Sequence, residues 1–202
     1  LKSVGLLSAQ NLAQSCYEKM FFGCVFLTDL PELYAKNLET SCYKQMFAGC
    51  TKVETAATTY AVTYANGCFE SMYEDCVLLK NAPSELVANQ IPENCCKAMF
   101  KGCTSLETAP LLPATNLGAD CYKEMFAGCT NLSKTGNLPA TSVPVGAYVS
   151  MFENCGMLVA SPEIKATTVA ENALNRAFAG CANLEVITFR AKSWGQNGFE
   201  DW

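Results

Sequence analysis

The chain has 202 residues, half of them hydrophobic, with a net charge of −5, thirteen cysteines and no histidine. An acidic balance without a basic run argues against nucleic acid as a partner, because phosphate recognition needs clustered Lys and Arg. The missing histidine removes Ser-His and Cys-His nucleophile pairs, histidine-ligated zinc and the commonest general base, and no apolar stretch approaches the roughly 18 residues of a membrane span.

In chain order, Leu1, Val4, Leu7 and Leu12 come first, spaced as the strand and return positions of an incomplete leading repeat. The chain opens at Leu1 rather than Met, and both ends fall inside repeats, as expected for a piece of a longer protein. From Cys16 onward one block recurs seven times, C-Y-x-x-M-F-x-G-C-x-x-L. Its second cysteine stands at Cys24, Cys50, Cys76, Cys103, Cys129, Cys155 and Cys181, at spacings of 26, 26, 27, 26, 26 and 26 residues. So regular a period is the signature of a solenoid, in which a unit buries its apolar face only by stacking on its neighbours. Residues 1–190 are expected to form one continuous core of about seven repeats, and residues 191–202 a tail or the start of a cap.

Within each block the first predicted element is a short helix. Nine residues before the anchor cysteine stand Ser15, Ser41, Gly67, Asn94, Asp120, Gly146 and Asn172, all residue types that cap helix N-termini. One residue before the anchor stand Gly23, Gly49, Asp75, Gly102, Gly128, Asn154 and Gly180, types that end helices in the left-handed conformation. Between them Phe21, Phe47, Tyr73, Phe100, Phe126, Phe152 and Phe178 form one aromatic column, with a methionine column beside it and a tyrosine-rich column before it. Core is the expected place for all three, with tyrosine hydroxyls needing a partner or an edge.

After the anchor, Leu27, Val53, Leu79, Leu106, Leu132, Leu158 and Leu184 open a very short predicted strand, often stopped by proline as at Pro31, Pro83, Pro110 and Pro162. Stacked in register these strands would make a narrow parallel sheet. A last apolar column, Leu12 to Val169, pins the return to the next helix. The fold class is therefore an α/β repeat, with the narrow sheet on one face and short helices on the other. Behind Leu184, Ile187 to Arg190 keeps a strand, while residues 193–198 carry no helix motif.

The cysteines read as a ladder of buried thiols rather than as a disulfide or metal framework. Cys16 and Cys24 would be separated by about 12 Å of helix, too far for a bridge. Ala147 and Ala173 replace the first cysteine of their blocks, so a small apolar group suffices there. Zinc-type C-x₂₋₄-C spacing is absent, and neither a metal nor a cofactor is expected.

The block Cys121-Tyr-Lys-Glu-Met-Phe-Ala-Gly-Cys129-Thr-Asn-Leu132, with the preceding Leu106-Glu-Thr-Ala-Pro-Leu-Leu-Pro-Ala-Thr-Asn-Leu117, resembles the BspA-like leucine-rich repeats of bacterial cell-surface proteins. The resemblance covers roughly residues 1–190. It implies a leucine-rich-repeat solenoid that is extracellular or on the cell surface and attaches to host, matrix or other surface proteins. It brings no catalytic residue, because the family's motif residues are structural.

With the inward columns assigned to core, binding falls to positions that vary between repeats. On the strand side these include Glu54, Lys80, Glu107, Lys134 and Glu185, the candidate binding face. A non-catalytic protein-binding or adhesion module is the favoured function. The alternative is a structural spacer that presents another domain of a longer surface protein.

Overall fold

A computed structural model describes residues 1–198. The chain winds through successive turns whose equivalent residues lie side by side, and all inter-turn pairing is parallel. The expected repeat solenoid is present. Two of its expected elements, however, take a different form.

The first correction concerns the short helices, for no helix forms among the described residues. The capping columns are instead left-handed: φ is 54° at Ser15 and Ser41, 53° at Asn94 and 51° at Asp120, where an N-cap would be extended. Left-handed residues recur every fourth position, with Lys19 (57°) and Gly23 (68°) following Ser15 in the first repeat. The amide groups explain why. Ser15, Tyr17, Lys19, Phe21 and Gly23 donate to carbonyls of the next turn (Thr40, Cys42, Lys44, Met46 and Ala48) at 2.8–3.0 Å. Cys16, Glu18, Met20, Phe22 and Cys24 donate three residues back within their own turn, at 3.0–3.3 Å. An isolated helix of about seven residues is unstable in water. Exporting every second N–H to the neighbour replaces those internal bonds with inter-turn ones. Each non-glycine left-handed residue costs about 1–2 kcal/mol, a cost the inter-turn bonds offset.

The second correction concerns the sheet. Parallel pairing runs along three lines instead of in one narrow sheet on a single face. The first lies five residues after the anchors and pairs Ser3 with Asp29, Thr55 with Asn81, Thr108 with Lys134 and Ala160 with Val186. A second line includes Leu7–Leu33–Thr59 and Leu138–Ile164–Phe189. The third, in the return column, holds five two-residue strands: β1 (Gln90–Ile91), β2 (Asn116–Leu117), β3 (Ser142–Val143), β4 (Thr168–Val169) and β5 (Ser193–Trp194). These form one sheet of β1 and β2 and another of β3, β4 and β5. Pro92 and Pro144 follow β1 and β3 directly and supply no donor to extend them. β5 lies in the stretch expected to be a tail or cap start; residues 199–202 of that stretch lie outside the described residues.

The core follows the predicted columns. Seven rings from Phe21 to Phe178 form an unbroken stack, with centroids 5.4–5.8 Å apart and planes within 15°. Met46, Met72, Met99, Met125 and Met151 are buried beside them, while Met20, in the first block, is exposed. The tyrosine-rich column is interrupted at Cys96, where Tyr64 enters from the return column and meets Phe69 edge-on at 5.1 Å.

Tyr73 is the one tyrosine of the phenylalanine column, and its hydroxyl has a use. It accepts a 3.0 Å hydrogen bond from the N–H of buried Ala57. Ala57 stands where four other repeats carry proline, and so has an amide that needs a partner. Tyr73→Phe should lower stability in denaturant melts by about 1–3 kcal/mol, the usual cost of an orphaned buried donor. Tyr122→Phe should be neutral or slightly stabilising, because the buried Tyr122 hydroxyl lacks a partner among the described residues. The expectation that every column tyrosine finds a partner or an edge fails at that residue.

All thirteen cysteines are free thiols. Cys50, Cys76, Cys103, Cys129 and Cys155 are fully buried, whereas Cys24 and Cys181, in the first and last blocks, are half-buried. Each anchor thiol from Cys50 to Cys181 donates to the carbonyl of the preceding turn's aromatic residue, Phe21 through Phe152, at 3.0–3.2 Å. That directed bond explains why alanine replaces the first cysteine of a block but never the anchor. Burial pushes Cys50 up to about 11, and Cys42 and Cys129 up to about 12. An unfolded thiol titrates near about 8.5, so above that pH the unfolded chain releases protons that the fold retains. The contribution of Cys50 is fully present below about pH 8.5 and is lost as pH rises through about 11. The melting temperature should fall across that window. At pH 8 the native protein should alkylate fastest at exposed Cys16, next at half-buried Cys24 and Cys181, and slowly elsewhere, while unfolding without reductant should make all thirteen thiols reactive.

Candidate functional site

Behind the anchor leucines the chain leaves the core, and the next two side chains point outward. Glu54, Lys80, Glu107, Lys134 and Glu185 are all exposed, as a binding face requires. The backbone joins the turns of this face in pairs. Lys80 and Asn81 both donate to the Glu54 carbonyl, at 3.0 and 3.1 Å, and Ser133 and Lys134 both donate to the Glu107 carbonyl, each at 3.1 Å. Glu185 donates to Val159 at 2.8 Å. The Asn81 amide reinforces its pair by donating to Thr55 Oγ1 at 3.0 Å.

Between bonded pairs the turns part and grooves open. One, of about 500 Å³, lies between Asp29 and Thr55 and has Glu32, Lys52 and Glu54 on its walls. Another, of about 580 Å³, lies between Asn81 and Thr108, flanked by Lys80 and Glu107. The face is thus a set of ridges and grooves, not the flat strip that a continuous sheet would give. Glu54 and Lys80 form an ion pair across their ridge at 3.1 Å, each more than half exposed, so it adds little to stability. Glu54, Lys80, Glu107 and Lys134 come from four consecutive turns. Glu185 stands apart from them, because the turn between carries exposed Val159 in place of a charge.

On the turn-rich side the charges pair across repeats. Lys44 meets Glu70 at 2.8 Å, and Arg176 meets Glu153 at 2.6 Å. The Arg176 guanidinium holds the Glu153 carboxyl below its ordinary pKa. Among the described residues no group of three or more Cys, Asp or Glu comes together in a way that could hold a metal ion. No described helix is long and apolar enough to cross a membrane.

A pair of stacked tyrosines lies away from the charged columns of the candidate binding face. Tyr34 and Tyr60, ten residues after the first two anchors, stack at 5.4 Å with planes 7° apart. Both hydroxyls reach the Glu32 carboxylate, Tyr34 at 2.5 Å and Tyr60 at 3.4 Å. The short bond to Glu32 raises the Tyr34 phenol above its ordinary pKa. The signal in the sequence was the column itself, which reads Tyr, Tyr, Leu86, Pro113, Pro139, Lys165 and Ala191 and is aromatic only in its first two repeats.

These turns define a solenoid whose outward positions are free to vary. No protein-family model matches the chain, and no curated protein matches it. Among solved structures it is similar to a leucine-rich repeat protein from Bacteroides ovatus ATCC 8483, with 19% sequence identity and a TM-score of 0.42. That likeness covers 91% of this chain and 55% of the other, so the chain spans little more than half the length of that protein.

Proposed function

We propose that the chain is a non-catalytic protein-binding module of the leucine-rich-repeat type, carried on a bacterial cell surface or secreted, and akin to the BspA-like adhesins its block resembles. The observation that supports this reading best is the ridged face around Glu54, Lys80, Glu107 and Lys134. There variable, exposed side chains of both signs stand on a backbone held from behind by the aromatic stack. Turns spaced by about 4.8 Å carry this face over roughly 30 Å from the first anchor to the last. An array of that length suits a protein partner better than a small molecule. Glu185 extends the face at its far end.

The test is a pull-down with the immobilised chain as bait, followed by the same capture with Glu54, Glu107 and Glu185 together replaced by lysine. The triple variant should lose the captured partner while its melting curve stays close to that of the parent. Because the charges on the face are mixed, capture by the parent should weaken only modestly with salt. Undiminished capture by the triple variant would remove the strand side as the site and favour the spacer role.

A further inference from the structure

From the Tyr34–Tyr60 pair we infer that the first two repeats carry a binding site for a neutral sugar ring, separate from the protein-binding face. The stack of two tyrosines is unfinished. One turn earlier the equivalent residue is Ser8, too short to reach the ring, and Tyr60 is the only ring that stacks on Tyr34 among the described residues. A groove of about 550 Å³ opens there, lined by Gln10, Asn11, Tyr34, Lys36, Asn37 and Tyr60. Its volume falls within the range of about 300–1,000 Å³ typical of small-ligand sites.

The chemistry of the walls selects the ligand. Two aromatic rings, three primary amides and the Lys36 ammonium line the groove, with no Leu, Ile or Val among them. A pyranose presents a flat face of C–H groups for an aromatic ring and a rim of hydroxyls that both donate and accept, as amides do. A sugar ring in the place of a third tyrosine would lie on Tyr34 with the Gln10 and Asn11 amides beside it. The polar groups are also preset. Glu32 holds both phenols, and the Asn37 carbonyl oxygen accepts from Thr63 Oγ1 at 2.7 Å, which leaves the Asn37 NH₂ to donate. Such prior fixing lowers the ordering cost of binding. A proline-rich peptide fits less well, because it docks in slots between aromatic side chains. Here the rings lie 5.4 Å apart, with no slot between them.

Saturation-transfer NMR on the intact chain tests this with the methyl glycosides of glucose, galactose and mannose and with N-acetylglucosamine as probes. At least one should receive saturation at its ring C–H protons. Tyr34→Ala should reduce that binding at least tenfold, Asn11→Ala should weaken it severalfold, and Tyr34→Phe should keep most of it. Melting curves of all three variants should match the parent, since these side chains lie outside the core. Two results would overturn the inference. One is the absence of transfer to every probe. The other is transfer that survives Tyr34→Ala in a folded protein. Decaproline is run alongside, and Tyr34-dependent binding of decaproline without any sugar would reassign the groove to peptides.

Discussion

Phe126→Ala is expected to lower the unfolding free energy by about 3–5 kcal/mol, the usual range for emptying a buried phenylalanine site. Phe126 is fully buried and sits inside the ring stack, with Phe100 at 5.8 Å on one side and Phe152 at 5.5 Å on the other. Its loss removes two ring contacts and leaves a gap that the rigid turns on either side cannot close. The anchor bond from Cys155 ends on the Phe126 carbonyl, which ties the backbone in place and limits relaxation further. Glu107→Ala on the exposed face should change stability by no more than about 0.5 kcal/mol. Urea melts of the two variants give the comparison directly. Equal losses would mean that the inward and outward columns had been exchanged.

Gly102→Val should cost about 1–3 kcal/mol, in two unequal parts. Gly102 has φ +73°, and a residue with a Cβ in that region is strained by about 1–2 kcal/mol. A Cβ there would also lie 2.2 Å from Asp75 Oδ1, but that oxygen is the far end of an exposed side chain, which turns aside at little cost. Gly49 has the same φ, but its nearest neighbour to an added Cβ is the Gly23 Cα, 3.5 Å away. Gly49→Val should therefore show the backbone part alone. Adding Asp75→Ala to the Gly102 variant, which removes the carboxyl but keeps a Cβ at left-handed Asp75 (φ 59°), should recover the small difference between the two. Failure of that recovery in melts would show that the side-chain contact contributes nothing.

Side-chain position and backbone conformation are encoded by different signals. Side-chain columns were legible because burial acts on residue type. Phe47 to Phe178, Met46 to Met151 and Cys50 to Cys155 all lie where their hydrophobicity placed them. Backbone conformation was less legible. Lys19, Gln45, Ala98 and Arg176 are left-handed, yet none is a turn-forming type. Their conformation is imposed by the neighbouring turn, which takes up every second N–H, and no local propensity records that. One clue was present. Cys42, Met46 and Cys50 are all fully buried at a spacing of four, whereas eight residues of α-helix would rotate the last about 80° from the first.

On the binding side, the exposure of Glu54, Lys80, Glu107, Lys134 and Glu185 followed from their variability. Their division into bonded ridges and open grooves did not, because it depends on which turns pair. Tyr34 and Tyr60 carry little signal in the sequence, because two aromatics in a column of seven do not stand out beside the long Phe ladder. Only their shared attachment to Glu32 distinguishes them.

The alternation of amide donors has a thermodynamic consequence. In most repeat proteins each unit closes its own hydrogen bonds and adds an interface, so unfolding can proceed unit by unit from an end. In this chain a turn parted from its neighbour loses half the amide partners of its longest segment at once. In a one-dimensional lattice description the intrinsic term of a unit is then strongly unfavourable and the nearest-neighbour term strongly favourable. Partly unfolded chains are suppressed in that limit. The protein should therefore melt over its whole length as a single cooperative unit, and a destabilising change in any central turn should register as a shift of the whole transition.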